Sequence, residues 1–491
     1  MKLAKMTAAL AVAGLALPAL AAGSETATLQ KLLERMEKLE ARNAELEKEV
    51  KALKGESESI AKGLESPRLS EYEPELTVRL KGAEKDVLEM KKSAKLADKL
   101  DGIKVGAALT TVAQHASGLP TGTADGGSQL NYRADVSVEL PLSPMGDIEQ
   151  KVFAHVRMGQ GQGLNAALSR LGYFASAPNA VAFRASGANP DDSVAILGQA
   201  WYQAAIPLPF GGFKPYSREK LELTFGKMDI FSFFDQNTVA GDESKQFLNS
   251  VFIHNPLLDA GREIGVDANG FQPGFIAAYV NNTNKAEPWR VSLGVFGAGD
   301  KGSNYQKSLS APLTMLQAEK QLRLFGGLLG NYRAYAWTRS QVSELDGVTT
   351  GRHTGIGLSI DQRVGDGVNL FARYSNLVKG ELPFNQALSI GGEINGAYWG
   401  RGADAIGIGG SWLKASAAYR AAGGSGDLDG DGVADFTFTP GGAEKVAEIY
   451  YRYRIAPQFE LTPDFQLVTR GGANPDARSV KVLGLRANIS Y

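Results

Sequence analysis

The chain contains no cysteine and only 4 histidines. The first absence excludes a disulfide scaffold, a thiolate metal site and a lipoprotein anchor. The histidines fall at no metal-ligand spacing from one another. After the first twenty residues there is no run of about 18 apolar residues, so no mature helix is expected to cross a membrane. A net charge of −1 gives no reason to expect nucleic acid as a partner. Nucleophile elbow, P-loop and zinc motif are all missing, and the chain is not read as an enzyme. A mean hydropathy of −0.17 does not separate a soluble protein from a barrel, which spreads its apolar residues over alternate positions. What the chain has in quantity is glycine, 58 residues, suited to tight turns and crowded wall positions.

The amino-terminal end reads as an export signal. Met1 to Lys5 is basic, Ala8 to Leu20 is apolar, and Ala19-Leu20-Ala21 is a small-x-small cleavage site, so residues 1–21 are expected to be removed. Residues 26–54 then follow a period of three and a half. Leu29, Leu32, Met36, Leu39, Asn43, Leu46, Val50 and Leu53 form an a/d seam over about four heptads, which predicts a coiled coil. Its rod would be roughly 40 Å long and would project into the periplasm. Asn43, the polar residue at an a position, would set register and oligomer number. An isolated helix of this length is marginal in water, so the seam implies partners, and a homotrimer is expected. Residues 55–101 read as a charged linker, partly helical, with solvated charge runs.

From Gly102 to Tyr491 the period changes to two. About sixteen segments predict an all-β transmembrane fold, an antiparallel outer-membrane β-barrel at residues 102–491. Early segments are Gly102–Gln114 and Gln129–Leu140. Later ones include Val368–Asn376, Asp404–Leu413, Lys414–Ala421 and Ser479–Tyr491, with a turn carved from Trp412 to Lys414. In the last segment Leu483, Leu485, Ala487, Ile489 and Tyr491 share one face, and Gly484, Arg486, Asn488 and Ser490 share the other. A lipid-facing Arg or Lys at the midplane costs about 2–4 kcal/mol, so the charged rows must face a water-filled lumen. Connections alternate short and long, as expected when short turns are periplasmic and long loops external.

The third long connection, starting at Ile230, interleaves Phe with carboxylates, as suits a loop folding inward. Its Phe rings would pack on the wall, while Asp235, Asp242 and Glu243 line a narrowing, with Lys245 beside them. Inward rows supply Arg133, Arg157, Arg333, Arg373, Arg452, Arg454 and Arg486. Facing the loop carboxylates across the pore, these would set a transverse field. Tyr335, Trp337 and Tyr450 on the same rows either stack on solute faces or fill the wall.

The stretches Phe225-Gly226-Lys227-Met228-Asp229, Phe234-Asp235-Gln236-Asn237, Asp242-Glu243-Ser244-Lys245-Gln246-Phe247-Leu248-Asn249 and Asn255-Pro256 resemble the carbohydrate-selective porins of OprB type. So do the closing segments Tyr450 to Pro457, Leu461 to Gln466 and Val482 to Arg486. The resemblance covers roughly Gly102 to Tyr491. It implies a sixteen-stranded barrel in outer-membrane lipid that passes small hydrophilic solutes, sugars among them, by diffusion. Larger relatives with a periplasmic coil usually carry a surface-layer-homology module; this chain has the coil without it. A structural reading stands beside the porin reading, in which the coil tethers outer membrane to cell wall and the barrel is its anchor.

In the seventh external loop, Asp427, Asp429, Asp431, Val433 and Asp435 alternate as calcium ligands do, with Gly432 at the sixth place. Phe438 stands where the bidentate Glu belongs. Ca2+ in this loop is one expectation, and an acidic hydrated tip is the other; no required cofactor is expected.

Overall fold

A computed structural model of the chain describes residues 102–491, apart from loop residues 120–126, 165–167, 169–175, 184–191, 213, 215, 260–269, 298–307, 347, 426, 428–431 and 435. It also describes helical residues 42, 44–48, 50–52 and 55. These two parts form separate units. In the helical unit Leu46 and Val50 are placed, and Arg42 pairs with Glu45 one turn on at 2.5 Å. The export signal, Leu29, Leu32, Met36, Leu39, Asn43 and Leu53 lie outside the described residues.

The larger unit is a closed barrel of sixteen strands. In chain order they are β1 (Lys104–Ser117), β2 (Ser128–Met145), β3 (Ile148–Gln160), β4 (Val194–Pro207), β5 (Glu219–Asp229), β6 (Phe271–Asn281), β7 (Trp289–Phe296) and β8 (Leu313–Leu324). The remainder are β9 (Leu328–Ser343), β10 (Thr350–Gly365), β11 (Val368–Lys379), β12 (Phe384–Asn395), β13 (Ala405–Ala415), β14 (Ala443–Ala456), β15 (Phe459–Thr469) and β16 (Val480–Ser490). Each strand pairs with its sequence neighbours, and β1 closes antiparallel on β16, with Ala108 opposite Ser490. Tyr491 extends the seam by exchanging backbone hydrogen bonds with Ala107 at 2.8 and 3.2 Å. Full closure leaves no strand edge unpaired in lipid.

The two faces of each strand separate as the alternation predicts. On β16, Leu483, Leu485 and Ile489 are exposed while Arg486 is wholly buried. Leu109, Phe225, Leu316, Leu370, Ile408 and Phe465 continue the exposed apolar belt on other strands. Trp289, Tyr398, Trp399, Tyr453 and Tyr491 stand exposed near the short-turn end, where aromatic rings suit a membrane interface.

The strand count agrees with the expectation through two errors that cancel. Lys414–Ala421 is not a strand: β13 runs on to Ala415, and Ala417–Ala422 is a helix. The Ser416 hydroxyl caps that helix by accepting from the Tyr419 amide at 3.0 Å, and alanines fill it. The strand that replaces it is β12, which the alternation did not isolate. Gly391 and Gly392 interrupt its pattern, and only residues 380–383 separate it from β11. The long connections sit at one end, led by 161–193, 230–270 and 416–442, although 344–349 and 380–383 at that end are short.

Glycine matters most where a ring must lie flat on the wall. A Cβ on Gly357 would stand 2.3 Å from the Tyr335 ring, and one on Gly407 would stand 2.2 Å from the Tyr450 ring. Both tyrosines anchor the loop described next.

Candidate functional site: an inserted loop and the cavity beside it

Strand β5 ends at Asp229, whose side chain accepts the Phe231 amide at 2.9 Å and caps a 3-10 turn, Ile230–Ser232. The chain then enters the lumen instead of leaving it. Phe234, Phe247 and Phe252 are fully buried, Phe234 edge-on to Phe296 and Phe247 against Phe252, Phe371 and Tyr450. These rings press the loop onto the inner faces of β7, β11 and β14.

Polar side chains of the far wall complete the attachment. Ser359 on β10 donates to the Gln236 carbonyl at 2.9 Å, and Ser389 on β12 donates to that of Val251 at 2.8 Å. The Glu448 carboxylate on β14 accepts the amides of Leu248 and Asn249. Arg486 on β16 donates to the carbonyls of Glu243 and Gln246 at 2.9 and 2.7 Å.

Asp235 is the centre of this attachment. Its carboxylate accepts from Arg373 Nε at 2.9 Å, Tyr335 Oη at 2.7 Å and the Asn255 amide at 2.7 Å. Arg373 spends its remaining donors on the carbonyls of Asp235, Ala240 and Phe252. Asp235 has φ +54°, a left-handed conformation that Asp tolerates better than most residues and that costs energy.

The sequence expectation for several site residues is therefore corrected. The side chains of Asp235 and Arg373 are 0% and 1% exposed, so they face each other and not an open passage. Arg486 is equally covered, and its job is to hold loop carbonyls. Tyr335, Trp337 and Tyr450 are buried wall residues, not stacking platforms; Tyr450 Oη donates to Glu393. Alternation gives which face of the strand a residue takes, but an inserted loop turns part of that face into core.

The space left beside the loop is a cavity of about 620 Å³. Its wall carries Arg157 from β3, and its loop side carries Glu243, Gln236 and Asn237. Phe183, Phe231 and Phe271 add aromatic surface. No pattern in the sequence marks residues 176–183 of the second long loop. They also fold inward: Pro178 O accepts from Gln114 and Gln466, each at 2.9 Å, and Asn179 donates to Asn131 at 2.7 Å. His254 was also missed, and its ring stacks on Phe231 at 3.9 Å between centroids.

The arginines at this cavity are paired in contact with carboxylates, not set across a gap, while Asp229, which also lines it, is held by the Phe231 amide. Glu243 pairs with Arg133 at 2.7 Å, Arg133 with Asp135 at 2.7 Å, and Asp135 with Arg157 at 2.7 Å. Burial would raise the Glu243 carboxyl, but Arg133, Arg157 and His254 together with a backbone hydrogen bond outweigh it and hold the group below the usual range. Arg157 also lies 5.1 Å from the Phe271 ring centroid. Elsewhere Arg333 pairs with Asp361 and Glu319, Arg452 with Glu393, and Arg454 with Glu460. Asp242 accepts from the Ser244 amide and hydroxyl, and Lys245 has no ion-pair partner among the described residues.

In the seventh long loop, Asp427 accepts the Gly432 amide at 2.8 Å and Val433 is exposed. Asp429, Asp431 and Asp435 lie outside the described residues, so the expected calcium loop is not described as a whole.

A closed sixteen-stranded barrel with a polar lumen and an inserted third loop defines the general-diffusion class of outer-membrane channels. The chain matches the carbohydrate-selective porin, OprB family, over residues 152–491, and it belongs to that family. It is similar to the high-pH structure of Pseudomonas putida OprB, with TM-score 0.62 and 19% identity over 81% of this chain and 96% of that one. The outer membrane channel DcaP of Acinetobacter baumannii gives TM-score 0.42 and 11% identity, over 79% of this chain and 97% of that one. No curated protein matches the chain. The protein is an outer-membrane porin for passive diffusion of small hydrophilic solutes.

Proposed function

We propose that the channel prefers neutral, hydroxyl-rich solutes of sugar size, and that the cavity beside the inserted loop is where it selects them. The carrying observation is the contact chain Glu243–Arg133–Asp135–Arg157, which cancels the charge of these four groups in a passage still rich in donors and acceptors. Paired charges favour neither cations nor anions strongly, while their free lone pairs and N–H groups suit hydroxyls. Phe183, Phe231 and Phe271 offer rings to the C–H faces of a pyranose. The family's description as carbohydrate-selective supports the same reading.

The test is a planar bilayer with purified full-length protein. Ohmic, step-like currents are expected, reduced reversibly by millimolar glucose or a disaccharide. A current indifferent to every sugar tried, with charged solutes of equal size entering as fast, overturns the preference while leaving the porin intact.

We infer further that residues 26–54 act as a periplasmic coiled-coil spacer beneath a homotrimer. The helical residues at 44–48 and 50–52 favour this reading. Its check is the mass of the intact protein in detergent, where a monomer would overturn it.

A further inference from the structure

The outer wall between β7 and β10 carries a groove that solute passage does not use. On its outer face Trp289 stands opposite Lys320, Lys320 opposite Tyr332, and Tyr332 opposite Ile360. One row nearer the long-loop end, Val291 faces Ala318, Ala318 faces Ala334, and Ala334 faces Leu358. Two alanines between larger side chains leave a trough of about 560 Å³. The short-turn end of this trough is a row of aromatic, lysine, aromatic.

Lys320 is exposed and has no ion-pair partner among the described residues. The adjacent Glu319 points to the other face of β8, where Arg333 holds it at 3.2 Å. The rim is stiff: Tyr332 Oη donates to Gln362 Oε1 at 2.7 Å, and the Trp289 ring packs on Tyr279 at 5.2 Å. A lysine near the edge of the apolar belt can reach the interface by extending its stem, and that alone needs no ligand. A bare apolar trough leading directly to the ammonium is a further feature, and it matches the two ends of an amphiphile.

We propose that this groove binds one anionic glycerophospholipid of the periplasmic leaflet. One acyl chain lies along Ala318 and Ala334, the phosphate meets Lys320, and Trp289 and Tyr332 flank the glycerol region. The occupant follows from charge and depth: the cation stands at the short-turn end, at the level of the aromatic row, where a headgroup phosphate would lie.

The experiment is native mass spectrometry of the full-length protein from detergent, titrated with phosphatidylglycerol or with phosphatidylcholine of the same chains. The wild type is expected to hold one phosphatidylglycerol about fivefold more strongly than phosphatidylcholine, from one lysine near a membrane surface. Lys320→Gln is expected to remove that preference and keep the wild-type conductance, since the side chain is outside the lumen. Ala334→Phe, which fills the trough, is expected to lose adducts of both lipids. Equal binding of the two lipids by the wild type, or a preference that survives Lys320→Gln, overturns the proposal. So does an Ala334→Phe protein whose oligomer mass changes while its lipid adducts stay, because the face would then be an interface between copies. If Ala334→Phe does not fold, the Lys320→Gln comparison decides alone.

Discussion

The two sides of the inserted loop are built by different rules. Its wall side is a protein core: Phe234, Phe247 and Phe252 interlock with rings of the barrel, and Asp235, Glu448 and Arg486 satisfy backbone groups around them. Its cavity side is a polar surface, with Glu243, Gln236 and Asn237 beside Phe231. The same carboxylate chemistry serves opposite ends. On the wall side a buried Asp235 is saturated by three donors and fixes position. On the cavity side Glu243 keeps one contact with Arg133 and still meets solvent, with 17% of its side chain exposed. Rigidity on one side is what gives a polar group on the other a fixed place to meet solute.

The largest expected effect comes from breaking the wall side. Arg373→Ala leaves Asp235 buried without its cation and three loop carbonyls without donors. A loss of about 3–5 kcal/mol is expected, as for removal of one partner of a buried ion pair. Urea unfolding in detergent measures it, and open-channel current noise should rise as the loop loosens. Combining Arg373→Met with Asp235→Asn should cost less than Arg373→Ala alone, since the stranded charge is gone; Asn also tolerates the left-handed backbone. If Arg373→Ala unfolds like the wild type with quiet current, the loop is not held as described.

A smaller and qualitatively different effect sharpens the comparison. Glu243→Gln should shift the reversal potential towards anions, by up to about 1 kcal/mol, roughly fivefold in permeability ratio, the upper range for a partly exposed pair. Asp235→Asn should leave ion preference unchanged and act on stability. Because the cations around it, Arg133 foremost, together overcome burial and depress the Glu243 carboxyl, its charge persists through the ordinary carboxylate range and is lost only as pH falls below it. The part of the selectivity that Glu243→Gln removes should therefore stay flat down to about pH 4. Equal shifts from Glu243→Gln and Asp235→Asn would abolish the distinction between the two sides.

How much of this was legible follows from what each signal reports. Period-two alternation reports which face of a strand meets lipid, so the barrel, its closure at β16 and the inward arginine rows could be read from Leu483, Arg486 and their neighbours. It says nothing of what lies over the inward face. Arg157 and Arg373 look alike in sequence, yet one borders the cavity and the other is sealed beneath the loop. The Phe-carboxylate interleaving of 230–249 marked a loop that turns inward, since buried rings need a wall. It could not say which carboxylate the rings would cover. Residues 176–183 carried no such pattern, because that segment is held chiefly by backbone carbonyls and Asn179. The Ala-rich helix 417–422, read as a strand, and β12 with its Gly391-Gly392 were misread because small side chains carry little periodic contrast.

The smallest effect lies away from the loop, in the short turn 396–404, and sets a baseline for the pH arguments. Arg401 donates to both carboxylate oxygens of Asp404, at 2.5 and 3.0 Å, and Tyr451 Oη donates as well. The Arg401 hydrogen bonds, ahead of an opposing burial effect, hold the Asp404 carboxyl down at about 2. An unfolded Asp titrates near 4, so the folded form binds its proton less readily. The stabilisation is complete above about pH 4 and disappears as pH falls towards 2. Urea unfolding in detergent, followed from pH 6 to pH 2, should lose stability only in the lowest two units. Asp404→Asn should flatten part of that loss without moving conductance, because the turn is outside the cavity. A loss already under way at pH 5, unaltered by Asp404→Asn, would assign the acid sensitivity to other carboxylates and leave this turn a passive closure of the barrel.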